Sequence, residues 1–310
     1  MMSRLLLILL GCSASACATS IDYWKHAMVT DGERYCESGD NYYDAVRVYY
    51  QISRYTGEPR WDHCAEVALH AYVDGYLAPN GYKAAGWMIF PHGLAMHLER
   101  TGDGHIKDAL VNLAANAAFA DHPPAEWLRP IETSREVAYN IQSKLLAESA
   151  GYTDRPEVQR LVELALGHYD QWFISRTAPY LRPFMAALTA EALILWYEKS
   201  GDARVLPTLK TGADWMWEHV WVSSAGAFQY TDRIMPHGGV EPAPDLNLLI
   251  VPLYAWLYKM TGDDTYRRRA DDIFAGGVQA AYLADAKHFN QNYRWSFDYV
   301  RWRGDPSQKK

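Results

Sequence analysis

This 310-residue sequence predicts an all-α fold, an α/α toroid of about six helical hairpins with an inner and an outer ring of helices. Three observations carry that prediction. The first is a recurring tight turn: Tyr55-Thr56-Gly57-Glu58, Arg100-Thr101-Gly102-Asp103, Gly151-Tyr152-Thr153-Asp154, Lys199-Ser200-Gly201-Asp202 and Met260-Thr261-Gly262-Asp263. Its glycines lie 45, 49, 50 and 61 residues apart, the spacing of stacked hairpins. Glycine suits the end of one helix, and the acid after it suits the start of the next. The second is alternation. Stretches such as Ala186–Trp196 and Leu246–Tyr258 are apolar nearly all round, and so are expected to be buried all round. Arg60–Tyr76, Ile106–Phe119, Ala203–Val220 and Thr265–Tyr282 carry a charged stripe and are expected to face water. The third is loop length. Inner-to-outer turns are short, whereas Leu77–Gly86, Asp121–Glu132, Ser175–Tyr180, Ser223–Pro244 and Ala284–Asn292 are long and should gather at one end of the ring.

Taken in order, the chain opens with a short positive stretch, Met1–Arg4, and an apolar run, Leu5–Leu10, too short to span a bilayer. Leu9-Leu10-Gly11-Cys12 reads as a bacterial lipobox with Cys12 as the lipidated residue; secretory cleavage near Ala16 or Ala18 is the alternative. Residues 1–19 are thus expected to be an export segment and tether, and 20–310 one domain of an exported protein, periplasmic or held at the outer membrane. Cys36 and Cys64 can form a disulfide in such a compartment, two separate buried thiols being the alternative. Ile21–Tyr35 is the expected outer partner of a last inner helix, Tyr293–Trp302, closing the ring. A net charge of −7 and the lack of any basic run exclude a nucleic-acid partner.

The stretch richest in chemistry is Thr133–Lys144. Thr133 can cap a helix with Glu136 bonding back, and the first turns then carry more polar groups than a core helix needs. It is one of six inner-helix starts. The others are Asp40-Asn41-Tyr42-Tyr43, Trp87 to His92, Tyr180-Leu181-Arg182, Asp245-Leu246-Asn247 and Asn290 to Arg294. Three starts carry arginine, Arg135, Arg182 and Arg294, although the helix dipole prefers anions there. Arginine forks beside helix N-termini suit a carboxylate, and an acidic substrate is the expectation.

Asn140 can share a hydrogen bond with that carboxylate. His92, after a Pro91 expected to kink its helix, is a candidate acid–base group, as is His237 in the long Ser223–Pro244 loop read as a lid. Tyr139, Tyr230, Tyr293 and Tyr299 are candidate proton donors, Tyr293 being singled out because the neighbouring Arg294 would lower its pKa. Trp87 and Asn247 complete the expected binding set. The 12 Trp and 22 Tyr fill helix contacts, with a subset expected to stack on sugars. Asp40, Asp44, Glu136, Glu191, Asp245 and Asp298 offer a rival chemistry, paired carboxylates, although Asp40 and Asp245 are also good caps. Glu191, among Leu188, Ala192 and Leu193, is expected to be a buried acid with a raised pKa.

The repeated pattern of apolar helix, Thr/Ser-Gly-Asp turn and amphipathic helix resembles the α/α-toroid carbohydrate-active enzymes. These are the alginate and glucuronan lyases and, more distantly, the unsaturated glucuronyl hydrolases. The resemblance implies a lyase that breaks a uronic-acid glycan by β-elimination, with Arg135, Arg182 and Asn140 on the carboxylate and Tyr293 or His92 moving protons. The Asn-His pair of one toroidal alginate lyase family has no counterpart. Neither metal nor cofactor is called for. The alternatives are a glycoside hydrolase using two of the acids and a non-catalytic glycan-binding lipoprotein.

Overall fold

A computed structural model describes residues 14–120, 128–235 and 239–304. It is an all-α protein, and the strands among these residues are one two-residue pair, β1 (Trp221–Val222) with β2 (Ala227–Phe228). The helices are α1 (Ala14–Tyr35), α2 (Ala45–Thr56), α3 (Arg60–Tyr72), α4 (Pro91–Thr101), α5 (Gly104–Asn116), α6 (Pro130–Ala147) and α7 (Arg155–Tyr169). They continue with α8 (Pro183–Ser200), α9 (Val205–His219), α10 (Asn247–Thr261), α11 (Asp264–Gln279), α12 (Ala286–Tyr293) and α13 (Ser296–Trp302).

The recurrent turn does what its residues suggest. Gly57, Gly102, Gly151, Gly201 and Gly262 all take φ between +69° and +95°, a region where a Cβ is penalised. The acids that follow cap the next helix: Asp103, Asp154 and Asp263 accept from backbone N–H groups of its first turn. Proline opens α4, α6 and α8 at the first helical position, where its missing N–H has no cost. Pro91 therefore starts α4 and does not kink it, contrary to expectation, whereas Pro252 does lie inside α10.

Even-numbered helices meet in a circuit: α2 with α4, α4 with α6, α6 with α8, α8 with α10, α10 with α12, and α12 back to α2. The closing contact is hydrogen-bonded. Asn290 Nδ2 of α12 donates to the Asp40 and Tyr42 carbonyls, and Gln51 Nε2 of α2 donates to the Arg294 carbonyl. α1 packs on α11 and α12, as expected for the missing outer partner. The last inner helix begins earlier than Tyr293 and is broken into α12 and α13. No helix among the described residues is long and apolar enough to cross a membrane.

Cys36 and Cys64 are disulfide-bonded, with Cα atoms 4.8 Å apart across 28 residues. The bond fastens the strap after α1 to α3. By the chain-entropy argument it contributes about 3–4 kcal/mol. The double variant Cys36→Ser/Cys64→Ser should melt about 5 °C lower by calorimetry, and an unchanged melting temperature would rule that contribution out.

Candidate anion pocket

Six of the large apolar side chains left exposed sit in or beside the outer-to-inner connections: Trp87, Phe119, Leu128, Ile174, Ile234 and Tyr282. The same end of the molecule holds a cavity of about 310 Å³, lined by Tyr43, Ser134, Arg135, Glu136, Arg182, Phe184, Met185 and Tyr230. These come from the strap before α2, the start of α6, the start of α8 and the loop after β2. Local sequence explains the convergence. Three of the four segments stand at or near where α2, α6 and α8 begin, and the loop after β2 closes over them.

Arg182 is the residue around which the pocket is built. It is the residue just before α8, part-buried, with its guanidinium 5.3 Å from the Tyr180 ring and 5.4 Å from the Tyr230 ring. No carboxylate among the described residues pairs with it, and its Nε is buried without a hydrogen-bond partner. Tyr230 is itself stacked on Phe184 at 5.8 Å. Arg135 differs, because Glu136 Oε1 accepts from its Nε at 3.1 Å and its Nη2 at 2.6 Å. Glu136 is thus engaged by its neighbour, and Thr133, the expected cap, marks a break inside α6 (φ −139°, ψ 15°).

The loop carrying Tyr230 is tied down as a wall. Tyr230 N donates to Glu241 O, Thr231 N to Gly239 O, and Asp232 N to Leu181 O. Asp232 Oδ1 accepts from Leu181 N at 2.7 Å, which fixes the wall to the residue preceding Arg182. His237 lies outside the described residues.

Tyr43 was not singled out by sequence, yet it forms part of the pocket lining. It and Asp44 are consecutive non-glycine residues in the left-handed region, at φ 64° and 66°. Such strain persists only where surroundings enforce it and is concentrated at functional sites. Here Asp44 enforces it by accepting from Arg47 N in α2 and Gly93 N in α4. A Cβ on Gly93 would run into Val46 and Asp44, so the two helices close up only around glycine. The Tyr43 hydroxyl makes no hydrogen bond among the described residues. Burial, outweighing Arg294 and Arg135, keeps it protonated well above the ordinary phenol range.

Beneath the floor lies a buried charge cluster that replaces several expected substrate contacts. Glu191 of α8 bridges Arg47 of α2, through Oε1, and Arg294, through Oε2 at 2.8 Å. Arg294 Nη1 also donates to Tyr139 Oη at 2.8 Å, and its guanidinium lies 5.9 Å from the Tyr43 ring. Burial alone would raise the Glu191 pKa, but Arg294 and Arg47 outweigh it and hold the carboxyl at about 2, opposite to expectation. Arg294 and Tyr139 are therefore internal, not substrate contacts. The signal for this cluster was an arginine, Arg47, in the apolar first turns of α2.

Other expectations are corrected in the same way. Tyr293 is buried on the α1 side of α12, where its hydroxyl donates to Trp24 O at 2.8 Å. It does not reach the pocket, and Arg294 does not lower its pKa, which burial raises well above normal. His92 faces the internal cluster rather than the pocket, and burial and Arg47 push its pKa well below normal, leaving a neutral ring. Asn140 Nδ2 donates to Glu136 O and Ala118 O, and Asn247 Nδ2 to Gly226 O and Ile273 O, while each Oδ1 is buried without a partner among the described residues. Asp44 rather than Asp40 caps α2. Trp87 is half exposed on a short turn beside Glu136.

Of the sequence candidates, then, the pocket collects Arg135, Glu136, Arg182 and Tyr230. No group of His, Cys, Asp or Glu among the described residues is arranged to hold a metal ion. Comparison with known proteins finds no matching family model, curated protein or solved structure.

Proposed function

We propose that this chain is an α/α-toroid polysaccharide lyase, exported and tethered, that cleaves a uronic-acid glycan by β-elimination. The observation that carries the reading is Arg182, a cation without an acid partner facing a polar cavity. A part-buried guanidinium in that state is a receptor for a planar anion, which a carboxylate fits with two parallel hydrogen bonds. The closed circuit of inner helices supports the toroid.

The chemical obstacle is the weak acidity of the hydrogen alpha to a carboxylate. Arg182, with Arg135 beside it, neutralises the carboxylate and so stabilises the charge that develops as that hydrogen leaves. Two lining groups can then handle protons. The Glu136 carboxylate accepts the alpha proton, and the neutral Tyr43 hydroxyl donates to the departing glycosidic oxygen as the carbon–oxygen bond breaks. The products are an unsaturated uronate and a free hydroxyl. Against a two-carboxylate hydrolase, Glu136 is the one acid among the described lining residues. α1 runs toward the pocket end, with Lys25 and Trp24 near Tyr55 at the far end of α2 and Tyr35 bonded to Leu283 O. A tether at Cys12 would therefore leave the pocket facing away from the membrane.

The test is ultraviolet absorbance during incubation with alginate, glucuronan, pectate and glycosaminoglycans, since elimination creates a conjugated, absorbing enoate. A rise is expected with one of them. Tyr43→Phe should slow it on the order of 10²-fold while leaving KM near its original value. New reducing ends without absorbance would replace the lyase with a hydrolase.

A further inference from the structure

We propose that Asp232 is a positioning residue for Arg182: it sets where the guanidinium stands without neutralising it. The inference rests on the anion-pocket reading above and deepens it, from which residue receives the anion to what holds that residue in place. A receptor arginine has two needs that conflict. Its fork must be held to within about 0.5 Å for paired hydrogen bonds to form. Yet an acid that held the fork directly would pair with it and close the site. Here the holding is done through the backbone on either side.

Downstream of Arg182, α8 supplies it. Pro183 opens the helix and keeps Arg182 extended (φ −112°, ψ 113°), and the Arg182 carbonyl accepts from Met185 N and Ala186 N. Upstream, Asp232 supplies it. Its Oδ1 accepts from Leu181 N at 2.7 Å and its own N donates to Leu181 O at 3.0 Å, so both backbone polar groups of Leu181 are held by one residue of the wall. The Asp232 side chain is 3% exposed, and its charge is met elsewhere. Oδ2 accepts from Arg176 Nη2 at 3.1 Å and from Arg233 Nη2 at 3.0 Å, and Arg182 is not among the cations that pair with it. Arg176 is anchored in turn, its Nη1 donating to Trp172 O and its guanidinium lying 4.0 Å from the Trp215 ring. The same clamp carries Tyr230, two residues before Asp232, whose ring is 5.4 Å from the Arg182 guanidinium. One residue pair, Leu181 with Asp232, thus sets the register of both.

The experiment separates the acceptor from the charge with two variants. It uses calorimetric titration with glucuronate, galacturonate and mannuronate, together with thermal melting. A single uronate carries no glycosidic bond to break, so the full chain can be titrated unaltered. Asp232→Asn keeps an oxygen for Leu181 N and loses both ion pairs. Asp232→Glu keeps the charge and carries the oxygen one methylene too far. Positioning predicts that affinity and stability fall in opposite orders. Asp232→Asn should melt lower yet bind nearly as the parent does. Asp232→Glu should melt close to the parent but bind about 10- to 100-fold more weakly, the equivalent of one hydrogen bond to a charged group. Affinity that follows stability, with Asp232→Asn the weaker binder, makes Asp232 a structural anchor and overturns the inference. Clearly tighter binding in Asp232→Asn makes it a repelling charge, and unchanged affinity in both variants makes it irrelevant to the fork; either result overturns the inference too. In these cases the pocket stands. A parent that binds no uronate, or binding that persists in Arg182→Ala, overturns the pocket reading and the inference with it.

Discussion

Glu191→Ala should destabilise the protein by about 3–5 kcal/mol, the largest effect expected of any single change here. Glu191 is the shared carboxylate of two arginines from different helices, and all three side chains are nearly inaccessible to solvent. Its removal leaves Arg47 and Arg294 facing each other without an anion between them. Among the described residues, Arg47 keeps Asp298, at 3.8 Å, Arg294 keeps the Tyr139 hydroxyl, and the buried Asp44 carboxyl interacts with both less directly. Replacing the three together with Met, Leu and Met should be far milder, because an apolar core carries no stranded charge. Urea unfolding measures both, and a Glu191→Ala protein as stable as its parent would dismiss the cluster as a structural element. The pH dependence has a definite sign. A carboxyl lowered from 4.5 to about 2 contributes stability that is present above pH 4.5 and disappears as pH falls toward 2. The stability gap between the parent and Glu191→Gln should therefore narrow across that window.

Arg182→Ala should cost on the order of 10²–10³ in kcat/KM on the glycan that is turned over, with little change in stability. Arg182 forms no ion pair among the described residues, so truncation strands no partner and forfeits only its stacking on Tyr180 and Tyr230. Lysine should restore part of the activity, since it keeps the charge but loses the planar fork. Arg135→Ala makes the informative contrast. It frees the Glu136 carboxylate to repel an anion, so its loss should appear mainly in KM. Initial rates by enoate absorbance separate the two, and full activity in Arg182→Ala would remove the basis of the proposed chemistry.

Much of the architecture was legible in advance because its signals are local. A glycine after a helix and an acid one to three residues on specify a turn whatever surrounds them, and all five such turns formed. Apolar-all-round against amphipathic stretches separated buried helices such as α8 and α10 from helices with an exposed side for a similar reason: burial on all sides admits a charge only where another charge meets it, as at Glu191. The site was only half legible. Helix starts could be aligned at one end, which brought Arg135, Glu136 and Arg182 together, and Tyr230 joins them from the long loop. Which side of each start faces the cavity depends on helix rotation, and that is set by packing between residues far apart in sequence.

Arg294 and Tyr293 illustrate the difference. They are adjacent at the end of α12, yet one points to Glu191 and Tyr139 and the other to α1, because neighbouring side chains on a helix diverge by about 100°. Tyr43 became a pocket residue only because Asp44 accepts hydrogen bonds from two helices at once and holds the strap in a left-handed turn. Sequence by itself determined the all-α class, the glycine-ended turns between helices and which stretches are buried on every side. The tertiary structure decided which charges neutralise one another inside and which arginine is left to receive a ligand, since pairing follows from distances that no local pattern encodes.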